Sequence, residues 1–232
     1  MRVISTGLPL LITAAVVVLT QKPACSSTIF NFEGFPDSTV LSTQYIGLSF
    51  SNAIILSAGI TLNEFEFPPH SGTNVASDNG GPITITFSPP VQSFSAYFTY
   101  TVPLTLQAFS SGTVQIAVAT SQSSNNEALS GAAGSQPNEL MQVAAAGGIV
   151  KVVITGAPAG TSFTLDDITA TSFSPCDINQ DSHTNVADVQ LMINEALGVN
   201  PAVNDLNGGG VVNVVDVQIV INAALGLGCV AK

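Results

Sequence analysis

DINQDSHTNVADVQLMINEALG, residues 177–198, recurs as DLNGGGVVNVVDVQIVINAALG, residues 205–226, and 12 of the 22 positions are identical without a gap. A unit repeated at this length describes one small piece of structure built twice, whose halves bury their apolar faces against each other. The shared residues fall into two groups. Asp and Asn occupy alternate positions at the start of each copy, and apolar residues at helical spacing follow them.

Oxygen-bearing residues at loop positions 1, 3, 5, 7, 9 and 12 are the donor pattern of an EF-hand calcium loop, in which the chain curls until six or more hard ligands surround one ion. The first copy supplies Asp177, Asn179 and Asp181 at 1, 3 and 5, the main-chain carbonyl of His183 at 7, Asn185 at 9 and Asp188 at 12. Ser182 stands at position 6, where the turn favours Gly. The second copy supplies Asp205, Asn207, the carbonyl of Val211, Asn213 and Asp216, with Gly210 at position 6. Its position 5 is Gly209, one carboxylate fewer, so the spacing predicts two Ca2+ ions with the second held more weakly. After each loop Val186, Val189, Met192, Ile193, Ala196 and Leu197, and then Val214, Val217, Val220, Ile221, Ala224 and Leu225, mark a helix with an apolar stripe. Gly198 and Gly226 end these helices, and no entering helix precedes either loop, which makes each copy a half EF-hand.

Loops, duplication and trailing helices together resemble the type I dockerin family over residues 176–229, about a quarter of the chain, within a module expected to span 176–232. The resemblance implies a small α module that plugs, when calcium is bound, into a cohesin-type partner, commonly attaching a polysaccharide-degrading or polysaccharide-binding module to a scaffold. It also implies recognition residues at loop positions 10 and 11. Here those are Val186, Ala187, Val214 and Val215, apolar where the family often carries Ser and Thr. A plainer alternative is that the repeats only stabilise the C-terminus of a structural surface protein. Cys176 and Cys229 flank the module and are expected to form a disulfide, which closes its ends and contributes on the order of 4 kcal/mol in the chain-entropy account.

Residues 1–26 read as a signal peptide, with Arg2 before the apolar run Leu8 to Leu19 and small residues at Ala24 and Ser26; lipidation at Cys25 competes with simple cleavage. Without Arg2 and Lys22, two lysines, Lys151 and Lys232, stand against 15 acids, a formal charge of −13. Nucleic acid and anionic membrane surfaces need clustered cations, so neither is an expected partner. No later apolar stretch reaches spanning length. The expected location is secreted, with the periplasm or cell surface as variants.

Residues 27–173 read as an all-β sandwich, joined to the repeats by a short junction at 174–175. About eight runs rich in Val, Ile, Thr and Phe alternate with turn signals, among them PITITFSP, VQSFSAYFTY and SFTLDDITATSF. Residues 121–138, dense in Ser, Asn, Gly and Ala, read as a mobile connection. The opening FNFEGFPDSTVLSTQYIGLSF and the late TLDDI resemble jelly-roll modules of exported bacterial proteins and carbohydrate-binding jelly rolls. That resemblance implies a further structural calcium shared by Glu33 with Asp166 or Asp167.

Polysaccharide is the ligand expected of such a module, yet its aromatic residues point to no platform. Trp is absent, Tyr97 and Tyr100 lie on opposite faces of one strand, Tyr45 stands apart, and the Phe residues read as core. Catalysis is not expected, although dockerins commonly accompany polysaccharide hydrolases. Glu64, Glu66, Asp78, Glu127 and Glu139 are joined by no motif, and His70 has no recognisable nucleophile beside it. The sequence therefore predicts a non-catalytic β-sandwich carried by a calcium-dependent docking module.

Overall fold

A computed structural model describes residues 27–111 and 113–232; the predicted signal segment and Cys25 lie outside the described residues. Ten strands form one continuous antiparallel network: β1 (Ser27–Phe30), β2 (Val40–Leu41), β3 (Leu48–Ser51), β4 (Ala53–Ser57), β5 (Asn74–Asp78), β6 (Ile83–Tyr100), β7 (Thr105–Phe109), β8 (Gln115–Thr120), β9 (Glu139–Thr155) and β10 (Phe163–Thr171). Two helices follow, α1 (Val186–Ala196) and α2 (Val214–Ala224).

The network folds over on itself because β6 and β9 serve both halves. The front of β6 pairs with β3 and with Lys151–Ile154 of β9, while its rear pairs with β10 and with Glu139–Ala144 of β9. Register shifts at Thr86/Val91 and Val91/Ser93 separate the two stretches. Inward residues change parity there, from Ile83, Ile85 and Phe87 to Phe94, Ala96, Phe98 and Tyr100, so both halves of one strand face the same core. The opposite halves then read β2-β4-β5-β10-β6-β9, with β1 beside the far end of β10, and β3-β6-β9-β7-β8.

The predicted strands are present, and β2, β5 and the front of β9 join them. Strand β5 carries no alternation because all five of its residues are buried. It lies between β4 and β10 and positions Asn74, Ser77 and Asp78 as buried polar anchors. Residues 121–138 form no strand or helix, but they are tied down. Asn126 is buried, accepts from the Tyr100 N–H at 2.7 Å and donates to the carbonyls of Phe98 and Gln136, which corrects the expectation of a mobile connection.

In the C-terminal module α1 and α2 pack together around Cys176, Met192, Leu206, Val217, Val220 and Ala223. The Cys176–Cys229 disulfide is formed, with a Cα–Cα distance of 5.9 Å. Both helices end as predicted in a left-handed Gly, Gly198 and Gly226. Its N–H, and that of the next residue, close back on the last turn. The predicted stripes are shorter than expected: Val186, Leu197, Val214 and Leu225 project into solvent at the helix ends. The module touches the sandwich directly, since Gly147 N–H of β9 donates to the Gln180 carbonyl at 2.9 Å.

Candidate metal centre

The two repeat loops have different sequences and one hydrogen-bond pattern. In the first, Asp181 and Ser182 N–H groups donate to Asp177, Asp181 N–H also to Asn179 Oδ1, and His183 N–H to Asp181. In the second, Gly209 and Gly210 N–H groups donate to Asp205 and Gly209 N–H also to Asn207 Oδ1. Asp188 accepts from Ile178, Asn179 and Asn185 N–H; Asp216 accepts from Asn207 and Asn213 N–H. Loop positions 4 and 6 are left-handed in both copies: Gln180 at φ 57° and Ser182 at 75°, Gly208 at 68° and Gly210 at 83°. Gly meets this demand freely in the second loop, whereas the first holds two side-chain-bearing residues there at a cost of about 1 kcal/mol each.

Positions 9 and 12 carry a second job. Asn185 and Asn213 are N-caps, and Asp188 and Asp216 are the reciprocal third residues of a capping box. Helix capping alone accounts for that pair in each repeat. It does not account for Asp177 and Asp205 or Asn179 and Asn207, which lie eight and six residues before the caps.

Charge is the unbalanced quantity here. Asp188 and Asp216 are fully buried and Asp177 nearly so. Burial pushes the Asp177 carboxyl up, helped by the neighbouring charges of Asp188 and Asp181 and opposed by its backbone donors. Among the described residues the lysines are Lys151, which sits over the Phe109 ring at 4.7 Å, and the terminal Lys232. The donor chemistry therefore fits a hard divalent cation: carboxylate, amide and main-chain oxygens with no thiolate. Among the described residues no three His, Cys, Asp or Glu side chains converge on one point, so amide and carbonyl oxygens are needed to complete either loop. The His183 ring is largely exposed, and its carbonyl accepts from the Asn185 side-chain amide at 3.3 Å. In the second loop the Val211 carbonyl faces Asn213 at 3.2 Å. The Thr184 hydroxyl, between His183 and Asn185, is buried without a partner.

The predicted recognition residues Val186, Ala187, Val214 and Val215 are all exposed, in matching places at the two helix N-termini. Sequence reasoning missed Glu195. It is buried on α1 and gathers Val203 N–H, Asn204 N–H and the Asn204 amide, which pins the connection between repeats. The second repeat has Ala223 at that place, so the duplication itself concealed the anchor.

In the sandwich, Glu33 and Asp166 flank one loop. Glu33 accepts from Thr73 and Asn74 N–H at 3.0 and 2.8 Å, in a space open only because Gly72 lacks a Cβ, which would fall 2.2 Å from the Glu33 carboxyl carbon. Asp166 accepts from Ser71 and Asp167 N–H; burial raises its pKa to about 6. Tyr45 is pushed up by burial and, more weakly, by the negative charges of both Asp166 and Glu33. Asp167, left-handed at a β-bulge, instead pairs with His70 at 2.6 Å and accepts from the Ser71 hydroxyl. The His70 ring stacks on Tyr97 with centroids 3.4 Å apart.

The remaining acids hold backbone N–H groups or nearby side chains. Asp78 binds Ser162 and Phe163 N–H, Glu139 binds Gln122 N–H and the Tyr100 hydroxyl, and Glu127 accepts from Asn125 and Ser130 side chains. Glu64 and Glu66 occupy a turn rather than a strand and serve separate partners, Gly59 N–H and the N–H groups of Leu129 and Ser130.

No protein-family model matches this chain, nor does any curated protein. Solved structures do. The K2 cleaved adhesin domain of Lys-gingipain is 14% identical, with TM-score 0.42 over 63% of this chain and 99% of that one. A DUF4465 family protein from Bacteroides caccae is 12% identical, with TM-score 0.39 over 69% and 97%. The CBM35 of Paenibacillus barcinonensis is 17% identical, with TM-score 0.30 over 55% and 94%.

Proposed function

We propose that this is an exported, non-catalytic protein in which a calcium-dependent, dockerin-like module anchors a β-sandwich recognition domain to a cohesin-type partner. One observation carries the reading: two loops of different sequence share their carboxylate and amide acceptors at positions 1, 3 and 12, the same left-handed positions and, among the described residues, buried acids that no lysine pairs with. Asp177, Asn179, Asp181, Asn185, Asp188 and the His183 carbonyl would hold one Ca2+. Asp205, Asn207, Asn213, Asp216 and the Val211 carbonyl would hold a weaker second. Calcium would supply the charge that the buried carboxylates lack. A third ion, purely structural, is assigned to Glu33 and Asp166, with Asp167 committed to His70.

Exposed apolar residues at both helix N-termini support docking as the module's use. Polysaccharide is the ligand class proposed for the sandwich. The disulfide fits an oxidising compartment. No helix among the described residues is long and apolar enough to cross a membrane.

Calorimetric titration of the chelated full chain with Ca2+ tests the metal reading. Two binding events are expected in the module, the tighter one lost in Asp177→Ala. Absence of heat at both loops would leave only the second reading, a terminal cap, which the capping boxes and the disulfide favour. Capture of cohesin-bearing protein that disappears with EGTA tests the docking.

A further inference from the structure

The sandwich places three large apolar side chains in solvent on one loop-walled surface: Phe65, 72% exposed, Leu129, 76%, and Leu140, 49%. Among the described residues Phe65 is the Phe or Tyr of the sandwich that stands exposed; the others are buried or half-buried. A single exposed apolar residue is ordinary, whereas several gathered on neighbouring segments mark a binding place.

The surface is held rigid. Beside Phe65, the Glu66 carbonyl accepts from Ala128 N–H and the Glu66 carboxylate accepts from Leu129 and Ser130 N–H, so the two loops that carry Phe65 and Leu129 run side by side. These backbone donors hold the Glu66 carboxyl below the usual carboxylate range. Farther along, the Asn138 amide donates to the Pro68 carbonyl at 3.1 Å. Leu140 is the direct cross-strand partner of Tyr97, the ring that carries His70. Adjoining Leu140 is an open cleft of about 350 Å³ whose wall includes Gln122, Gln136 and Asn138.

We infer that this surface binds a neutral polysaccharide, with Phe65 and Leu129 as the apolar platform for pyranose C–H faces and the amides of the cleft as partners for hydroxyl groups. This rests on the sandwich being a recognition domain and is independent of the calcium loops. The chemistry selects against other occupants. Glu64, Glu66, Glu127 and Glu139 are the carboxylates on these segments, His70 is paired with Asp167, and no lysine or arginine lies in these loops, so a uronate-rich chain is repelled. An apolar protein helix would bury the Gln122 and Gln136 side-chain amides of the cleft wall without offering them hydrogen bonds.

The experiment is binding of the full chain to neutral glucan, mannan and xylan, with polygalacturonate as the anionic counterpart, by affinity electrophoresis and calorimetry. Phe65→Ala should weaken the best neutral ligand about tenfold or more with an unchanged melting temperature, since Phe65 is exposed. Gln136→Ala should weaken it less. Neutral binding undiminished in Phe65→Ala and in a Phe65→Ala, Leu129→Ser double variant would overturn this site while leaving the recognition reading intact. Preference for polygalacturonate would also overturn the proposal. Failure of the unaltered chain to bind any of the four polymers would overturn both.

Discussion

Carboxylates in this protein are satisfied mainly by N–H groups and hydroxyls instead of by cations. Asp37 illustrates the habit: hydrogen bonds, foremost from the Thr61 hydroxyl, hold its carboxyl below the usual range despite some opposing burial. Asp177 and Asp166 depart from it, and at Asp166 the backbone donors do not offset burial, so its pKa rises to about 6 from 3.8. A proton held more tightly in the folded than in the unfolded chain favours folding below about pH 4, and that contribution is lost as pH climbs through 6. In chelated protein the Asp166 carboxyl carbon resonance should therefore titrate with a midpoint near 6. Added Ca2+ should move the midpoint to lower pH if the ion sits between Asp166 and Glu33. A midpoint that calcium leaves unchanged would count against a metal there. Asp166 was legible in the sequence only as one of two adjacent acids; its separation from Asp167 depends on the left-handed bulge that turns Asp167 toward His70.

At the level of elements, the repeats were readable because loop ligands, capping box and terminal Gly are all local devices. Each is set by residues of a single loop-and-helix unit. The difference between the loops is equally local: Asp181 against Gly209 at position 5. Gly209→Asp should strengthen the second calcium site by about tenfold, read by calorimetry as convergence of the two affinities. An unchanged weak site would show that position 5 does not limit that loop. A Cβ at Gly209 would fall 2.6 Å from Asn207 Oδ1, so the Asn side chain must shift slightly for the gain to appear. Among the strands, the sequence pattern suggests two separate runs around Pro89 and Pro90, whereas β6 is one strand whose inward parity changes across that point. Strand β5 escaped because burial on both faces erases the alternation by which strands are recognised.

For the whole molecule, the junction decides how the parts behave together. Gly147 and Gly148, both with positive φ in the middle of β9, form a seat for the first loop. A Cβ on Gly148 would meet Pro90 at 2.9 Å and Phe173 at 3.3 Å. Gly148→Ala is expected to destabilise the chain by about 2 kcal/mol in urea unfolding through overpacking and left-handed strain. It should also release the hydrogen bond from Gly147 to Gln180, seen as faster amide exchange at Gly147. Wild-type stability and exchange would mean the seat is not a constraint. The paired change Cys176→Ser and Cys229→Ser should cost the C-terminal module about 4 kcal/mol, leaving it folded mainly when Ca2+ is present. Circular dichroism of the helices with and without EGTA would check this, and indifference to both changes would remove the idea of a small core held by a crosslink and ions.

The sequence by itself determined the duplicated loops, their helix ends, the cysteine pairing and the β character of the rest, since each follows from short-range spacing or from composition. Only the tertiary structure decided which Phe stays in water, which acid loses its solvent, and that loops 65 and 129 stand together. Those facts arise from contacts between segments distant in the chain, where burial depends on what folds over a residue and no local pattern records it.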